Sequence, residues 1–254
     1  MCILALYFQQ FENYPLIVAA NRDEFFTRPS TSPRVLATDP LIFGEKDLLA
    51  GGTWLGVNEH GLLAGILNRK SDTKKDQATV RSRGLLCLDI LKVRDPLEAC
   101  ALLRKQKGSV YQPFNLIFAN GEQAYVAYDL DGAITWVQLE KGLHVFSNTS
   151  VDNARSEKMD HAYLLFSRAE EWLHLDKNNP LSCIPDLKIV LSDHALAEVS
   201  SDPKESICVH TQSYGTVSSS IIFYIPGEKR FRSYHTTGPP CSENYGESMS
   251  VEVL

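Results

Sequence analysis

Cysteine follows the first methionine in this chain, which opens Met1-Cys2-Ile3-Leu4-Ala5-Leu6-Tyr7-Phe8. A small second residue lets the methionine be removed, and Cys2 would then carry a thiol and a free α-amine together. An α-amine titrates at about 7.7–8.0, so a useful fraction is neutral base near pH 7. A thiol titrates near about 8.5 and is the stronger nucleophile once ionised. Nucleophile and base on one residue make a compact unit for acyl transfer. The thiolate attacks an amide carbonyl, the amine moves the proton, and water clears the thioester. The competing reading of Cys2 is a packing cysteine in an apolar strand.

Asn21-Arg22-Asp23 is the second candidate cluster, at the end of the apolar run Leu16-Ile17-Val18-Ala19-Ala20. Alternation along a strand puts Asn21 and Asp23 on one face and Arg22 on the other. A carboxylate at Asp23 beside an α-ammonium would orient it and raise its pKa. A guanidinium at Arg22 near the thiol would lower the thiol pKa. The alternative is a turn with a local ion pair, which contributes little when exposed. Asn21 is a substrate-contact candidate on the Asp23 face. In Gly51-Gly52-Thr53-Trp54, Thr53 and Trp54 either line a substrate mouth or form a tight turn and a core aromatic. The seven histidines are scattered with no His-x-x-x-His, and no Cys-x-x-Cys occurs among Cys2, Cys87, Cys100, Cys183, Cys208 and Cys241. No metal site and no cofactor are therefore expected. No glycine run has phosphate-loop spacing.

The elements that must hold these residues read as a β-rich chain. Segments 2–9 and 14–21 form a hairpin whose strands are apolar on both faces, so the sheet must be covered on both sides. Residues 24–50 read as a connecting excursion broken by Pro29, Pro33 and Pro40. Thr53–Val57 and Leu62–Asn68 form a second hairpin across Asn58-Glu59-His60-Gly61, and 69–80 a polar loop. Two helices follow, around Leu85–Leu91 and from Pro96 to Lys107. Four strands come next, at Phe114–Ala119, Ala124–Leu130, Ala133–Leu139 and Leu143–Phe146, with turns at Asn120-Gly121 and Asp131-Gly132. Helices over 154–174 and about 185–199 precede a closing hairpin, Val217–Ile225 and Arg230–His235. From about residue 237 the Gly, Pro and Ser content reads as a loose tail. The order does not alternate strand and helix, which disfavours a doubly wound fold. The expectation is one α+β domain over 1–254, a four-layer α-β-β-α sandwich of two antiparallel sheets.

At 254 residues, 44% apolar and 22% charged, the chain has an ordinary globular composition with a sizeable core. A net charge of −6 argues against general nucleic-acid binding. Its short basic runs, Lys74-Lys75 and Arg81 to Arg83, read as solvated loops. The six cysteines read as reduced thiols, with Cys87 and Cys100 packing in helices. Gln9, Gln10 and Glu12 interrupt the apolar start too early for a signal peptide, and no window is long enough to span a membrane. A cytoplasmic protein acting on a small-molecule substrate or ligand is the expectation.

Several motifs recur in the order of a known family. Met1-Cys2, then Ala20-Asn21-Arg22-Asp23-Glu24-Phe25 with Arg28-Pro29, then Gly51-Gly52-Thr53-Trp54-Leu55-Gly56, resemble the NRDE family of transport and Golgi organisation 2-like proteins. The resemblance implies an N-terminal nucleophile hydrolase fold with Cys2 in the nucleophile position. It implies hydrolysis of a non-peptide C–N amide, or a non-catalytic carrier role in the same cleft, haem included. Gly56 to Asn68 is similar to a segment of the choloylglycine hydrolases, whose strand-end Asn helps form the oxyanion hole; Asn68 is the matching position. Ser147-Asn148 resembles that group's Thr-Asn pair and makes Asn148 a second oxyanion or substrate contact. Two departures stand out. Arg22 touches Asp23, where the choloylglycine group spaces the pair by three residues. Val217 also stands where NRDE relatives often carry Arg, so a cation is lost there.

Overall fold

The computed structural model describes residues 2–69, 80–130, 132–148, 157–173, 180–196 and 202–254. The expected loop over 69–80, with Lys74-Lys75, lies almost wholly outside them, as do Asp131, Thr149-Ser150 and Asn178-Asn179.

The two opening strands are β1 (Ile3–Phe11) and β2 (Tyr14–Phe25). Their faces divide between two cores. Ile3, Ala5, Tyr7, Ile17 and Ala19 pack with Phe166 and Leu187 from the helices α3 (Glu157–Leu173) and α4 (Ile184–Leu191). Leu4, Leu6, Phe8, Leu16, Val18 and Ala20 pack instead against Leu55, Leu63, Ile117 and Val126 of a second sheet. This double coverage explains the absence of polar alternation in either strand.

The second sheet is a meander of β3 (Arg34–Thr38), β4 (Leu41–Gly44), β5 (Leu55–Asn58), β6 (Leu63–Asn68), β7 (Phe114–Ala119), β8 (Ala124–Leu130) and β9 (Ala133–Gln138), in that spatial order. Its outer face carries Ala64, Ile66, Leu116, Phe118 and Ala127 against Leu86, Ile90 and Leu103 of α1 (Arg83–Ile90) and α2 (Pro96–Leu103). Asp95 caps α2 by accepting from the Glu98 amide at 2.8 Å, and Pro96 occupies the first turn, where its missing N–H costs nothing. Asn58 ties the β5–β6 turn to the end of α1. Its Nδ2 donates to the carbonyls of Leu91 and Val93, while its Oδ1 accepts from the His60 and Leu62 amides.

The first sheet runs β10 (Gly142–Phe146), β1, β2, β11 (Tyr214–Ile225), β12 (Arg230–Thr236), β13 (Gly246–Glu252), with antiparallel neighbours throughout. The layers are therefore α-β-β-α, as expected from the sequence.

Three expectations are corrected. The segment 24–50 is not only a connection: β2 runs on to Phe25, and β3 and β4 form the edge of the second sheet. The helix expected over 185–199 ends at Leu191. The stretch from 237 is no loose tail, because β13 pairs with β12 and buries Val251 and Val253 between the sheets. Its polar residues conceal a short apolar alternation, Val251 and Val253, that a covering sheet makes worth ordering.

Candidate active site

Antiparallel register decides what surrounds Cys2. Ile3 pairs with Asn21, so Cys2 falls beside Arg22 and Asp23. On the other side Leu4 pairs with Phe146, and continuing that register puts Asn148 opposite Cys2. The Asp23 amide donates to Cys2 Sγ at 3.3 Å, and the Cys2 thiol points back to the Asp23 carbonyl at 3.6 Å. Ser147 Oγ donates to the Cys2 carbonyl at 3.2 Å, and Asn115 Nδ2 donates to the Ser147 carbonyl at 3.0 Å.

Cys2 is half-buried and its thiol is raised, first by burial and then by the Asp23 charge. Arg22 pulls the other way, as expected, but is outweighed. Burial therefore favours the neutral thiol of Cys2 over the thiolate. Asp23 is 4% exposed, and burial raises its carboxyl. The positive charge at the chain start, Lys158 and a hydrogen bond from Thr216 oppose that shift.

A bulge in β11 sets the neighbouring groups. Thr216 pairs with Asp23 and Ser218 with Arg22, leaving Val217 as the extra residue. Residues two apart on a regular strand face the same way; here they face opposite ways. Thr216 Oγ1 donates to Asp23 Oδ1 at 2.6 Å. Ser218 Oγ reaches Glu45, just after β4 of the second sheet, at 3.1 and 3.0 Å from its two oxygens. Alternation on β2 holds as predicted: Asn21 and Asp23 turn toward α3 and α4, while Arg22 turns between the sheets, near Glu45.

Cys2, Arg22 and Asp23 open into a cleft of about 350 Å³ whose opposite wall holds Thr53, Trp54 and Asn68. Asn68 is exposed there, at the end of β6. Trp54 Nε1 donates to Glu45 Oε1 at 3.0 Å. Glu45 was not anticipated. It is 4% exposed, and burial raises its carboxyl against the pull of Trp54, Arg22 and Ser218.

Two expected site residues are placed differently. Asn21 is fully buried beneath the helices, its Nδ2 donating to the carbonyls of Leu191 and Ile207 and its Oδ1 accepting from Ser219 Oγ at 2.6 Å. With its amide so occupied it does not line the cleft. Asn148 is buried beside the cleft rather than in its wall, and its Oδ1 has no hydrogen-bond partner among the described residues.

The cations come from elsewhere. Arg81 to Arg83 is no solvated run: Arg81 and Arg83 line the cleft with Arg28. Arg28 pairs with Asp47 at 2.5 Å and Arg81 with Asp89 at 2.7 Å. Arg83 donates to the Pro113 carbonyl at 2.9 Å. Burial, then the charge of Arg28, brings its pKa down to about 10. The Gly51-Gly52 pair explains how this wall is built. A Cβ on Gly52 would lie 2.2 Å from the Gly84 carbonyl carbon, and the Thr53 amide donates to the Gly84 carbonyl at 3.0 Å. That close backbone approach pins the start of α1, and Arg83 with it, to the cleft. The signal in the sequence was the pairing of Gly52 with a second glycine before a helix, which spacing alone does not reveal.

Two stacked antiparallel sheets enclosed by helices, with a cysteine at the end of a central strand, define an N-terminal nucleophile hydrolase-like fold. Solved structures share it across the chain. Penicillin V acylase from Agrobacterium tumefaciens aligns with a TM-score of 0.59 at 12% identity, covering 100% of this chain and 99% of its own. The Caenorhabditis elegans N-acylethanolamine-hydrolyzing acid amidase ortholog aligns with a TM-score of 0.54 at 14% identity, covering 89% and 93%. The Transport and Golgi organisation 2 family model matches residues 1–233, and the chain belongs to that family. The human Transport and Golgi organization protein 2 homolog is 28% identical over 229 residues, and the Mus musculus homolog 27%, each match covering 82% of both chains. No helix among the described residues is long and apolar enough to cross a membrane.

Proposed function

We propose that this chain hydrolyses a non-peptide C–N amide through Cys2, with Met1 removed. Cys2 gives its thiol proton to its own α-amine and forms a C–S bond to the amide carbonyl. The C–N bond then breaks, the departing amine takes the proton back, and water cleaves the thioester. Asp23 orients the α-ammonium, and Arg22 favours the thiolate. Asn68 offers its side-chain amide to the oxyanion. Thr53 and Trp54 contact the substrate. The arginines of the cleft favour a substrate bearing a carboxylate or other anion, for which the guanidinium of Arg83 is a suitable fork.

One observation carries this reading: Cys2, Asp23 and Asn68 line one cleft, brought together from two different sheets. Intact mass and peptide mapping of the purified protein, before and after alkylation, test the first requirement. Met1 absent and Cys2 alkylated is the expected result; retained Met1 overturns the amine-base mechanism. A panel of anionic N-acyl amides, assayed with wild type and Cys2→Ala, tests the second. Turnover lost in Cys2→Ala supports the hydrolase. Tight ligand binding that survives Cys2→Ala, with no turnover in wild type, replaces it with a carrier role, haem included.

A further inference from the structure

At the end of the first sheet, next to the cleft but outside its wall, four side chains converge from three segments. They are His194 after α4, Cys208 and His210 before β11, and Cys241 between β12 and β13. One ligand atom of each lies within 4.8 Å of those of the other three. We propose that these residues form a tetrahedral Cys2His2 site for a divalent transition metal of the zinc type.

The distances fit such an ion. Zinc binds sulfur at about 2.3 Å and imidazole nitrogen at about 2.0–2.1 Å, which in a tetrahedron separates two sulfurs by about 3.8 Å and nitrogen from sulfur by about 3.5 Å. Cys208 Sγ and Cys241 Sγ are 3.8 Å apart. His210 Nε2 lies 3.6 Å from Cys208 Sγ and 3.3 Å from Cys241 Sγ. The outer contacts are also those of a metal site. His194 Nδ1 donates to the Cys208 carbonyl at 3.0 Å, which fixes its tautomer and leaves the lone pair on Nε2. The Cys208 amide donates to the Asp193 carbonyl at 2.8 Å, lacing the first two segments together. The turn that holds Cys241 closes by the Ser242 and Glu243 amides donating to the Pro239 carbonyl. Soft thiolates with imidazoles in this geometry select zinc over magnesium or calcium.

The site has a structural consequence for the cleft. Val209, between two of the ligands, exchanges hydrogen bonds with Thr216: its amide donates to Thr216 Oγ1, and its carbonyl accepts from the Thr216 amide, both at 2.9 Å. Thr216 is the residue that holds Asp23. A bound ion would fix the loop that fixes that carboxylate.

The test uses the full chain, dialysed against metal-free buffer, then given zinc or cobalt(II). Expected are one zinc per chain by elemental mass spectrometry, and with cobalt the thiolate charge-transfer and intense visible bands of a tetrahedral ion. Both should be lost in Cys241→Ser and in His210→Ala, exposed positions where folding is checked by circular dichroism, and retained in Cys2→Ser. Zinc should also protect Cys241 of the unaltered protein from alkylation, reversibly by chelator, which needs no substitution. No zinc uptake by the wild-type chain overturns the proposal. So does uptake unchanged in both ligand variants, or a Cys208–Cys241 disulfide in the non-reduced peptide map.

Discussion

Thr216 is a small residue with two duties. Its hydroxyl accepts from the Val209 amide and donates to Asp23, so one side chain joins the loop to the proposed catalytic carboxylate. Thr216→Val keeps the shape but removes both bonds, taking the Thr216 hydroxyl away from a buried carboxyl. The expected outcome is a fall in kcat of tenfold or more, roughly 1.4 kcal/mol, with KM little changed, read by steady-state kinetics on the amide found by screening. Asn68 makes a sharper case, because it is exposed in the cleft and its loss should leave folding intact. Asn68→Ala should lower kcat by about 10²–10³ if its amide serves the oxyanion; an unchanged kcat removes it from that role.

Elements carry the next set of constraints. The start of α1 sits against the Gly51-Gly52 turn with no room for a side chain, so Gly52→Ala must push two backbones apart. The expected cost is about 1–3 kcal/mol by urea denaturation, with weaker binding of anionic ligands as Arg83 shifts. On β12, His235 is 8% exposed, 3.0 Å from Ser220 Oγ and 3.8 Å from Glu45. Burial lowers its pKa to about 4, so it is a neutral imidazole at neutral pH. In the unfolded chain it titrates near about 6.5. A lowered pKa means that this stability is fully present above about 6.5 and is lost as pH falls toward about 4, up to about 3 kcal/mol. Asp23 and Glu45 are raised and act in the opposite sense, their contributions being lost as pH rises. The readout is therefore the difference between wild type and His235→Asn in urea melts at pH 7 and pH 5. The gap in favour of wild type should shrink as the pH falls.

Across the whole molecule, the two sheets close on each other through side chains far apart in sequence. Val251 of β13 packs in the same core as Leu6 of β1 and Val126 of β8. Val251→Ala should cost about 2 kcal/mol, from two lost methyls and a cavity that a closed sandwich cannot collapse. A loose C-terminal stretch would show almost no change in the same thermal or urea melt. The same closure explains the cleft, which lies where the ends of β2 and β6 and the start of α1 meet.

The amino-acid order by itself specified the strands that are apolar on both faces, and hence a sheet covered twice, because side-chain direction alternates locally and needs no partner to be read. It also specified Cys2 beside Asp23, since the short Phe11–Tyr14 turn brings those ends together by hairpin register. It did not specify which side chains meet across the layers. Arg83 and Glu45 enter the cleft, and Asn21 leaves it, through contacts between residues tens to more than a hundred positions apart. His194, Cys208, His210 and Cys241 meet for the same reason: only Cys208-Val209-His210 is local, and the other two ligands arrive with α4 and the β12–β13 connection. Local periodicity records which face of an element must be buried. Which element buries it, and so which polar groups are carried into one site, is decided only when the layers pack.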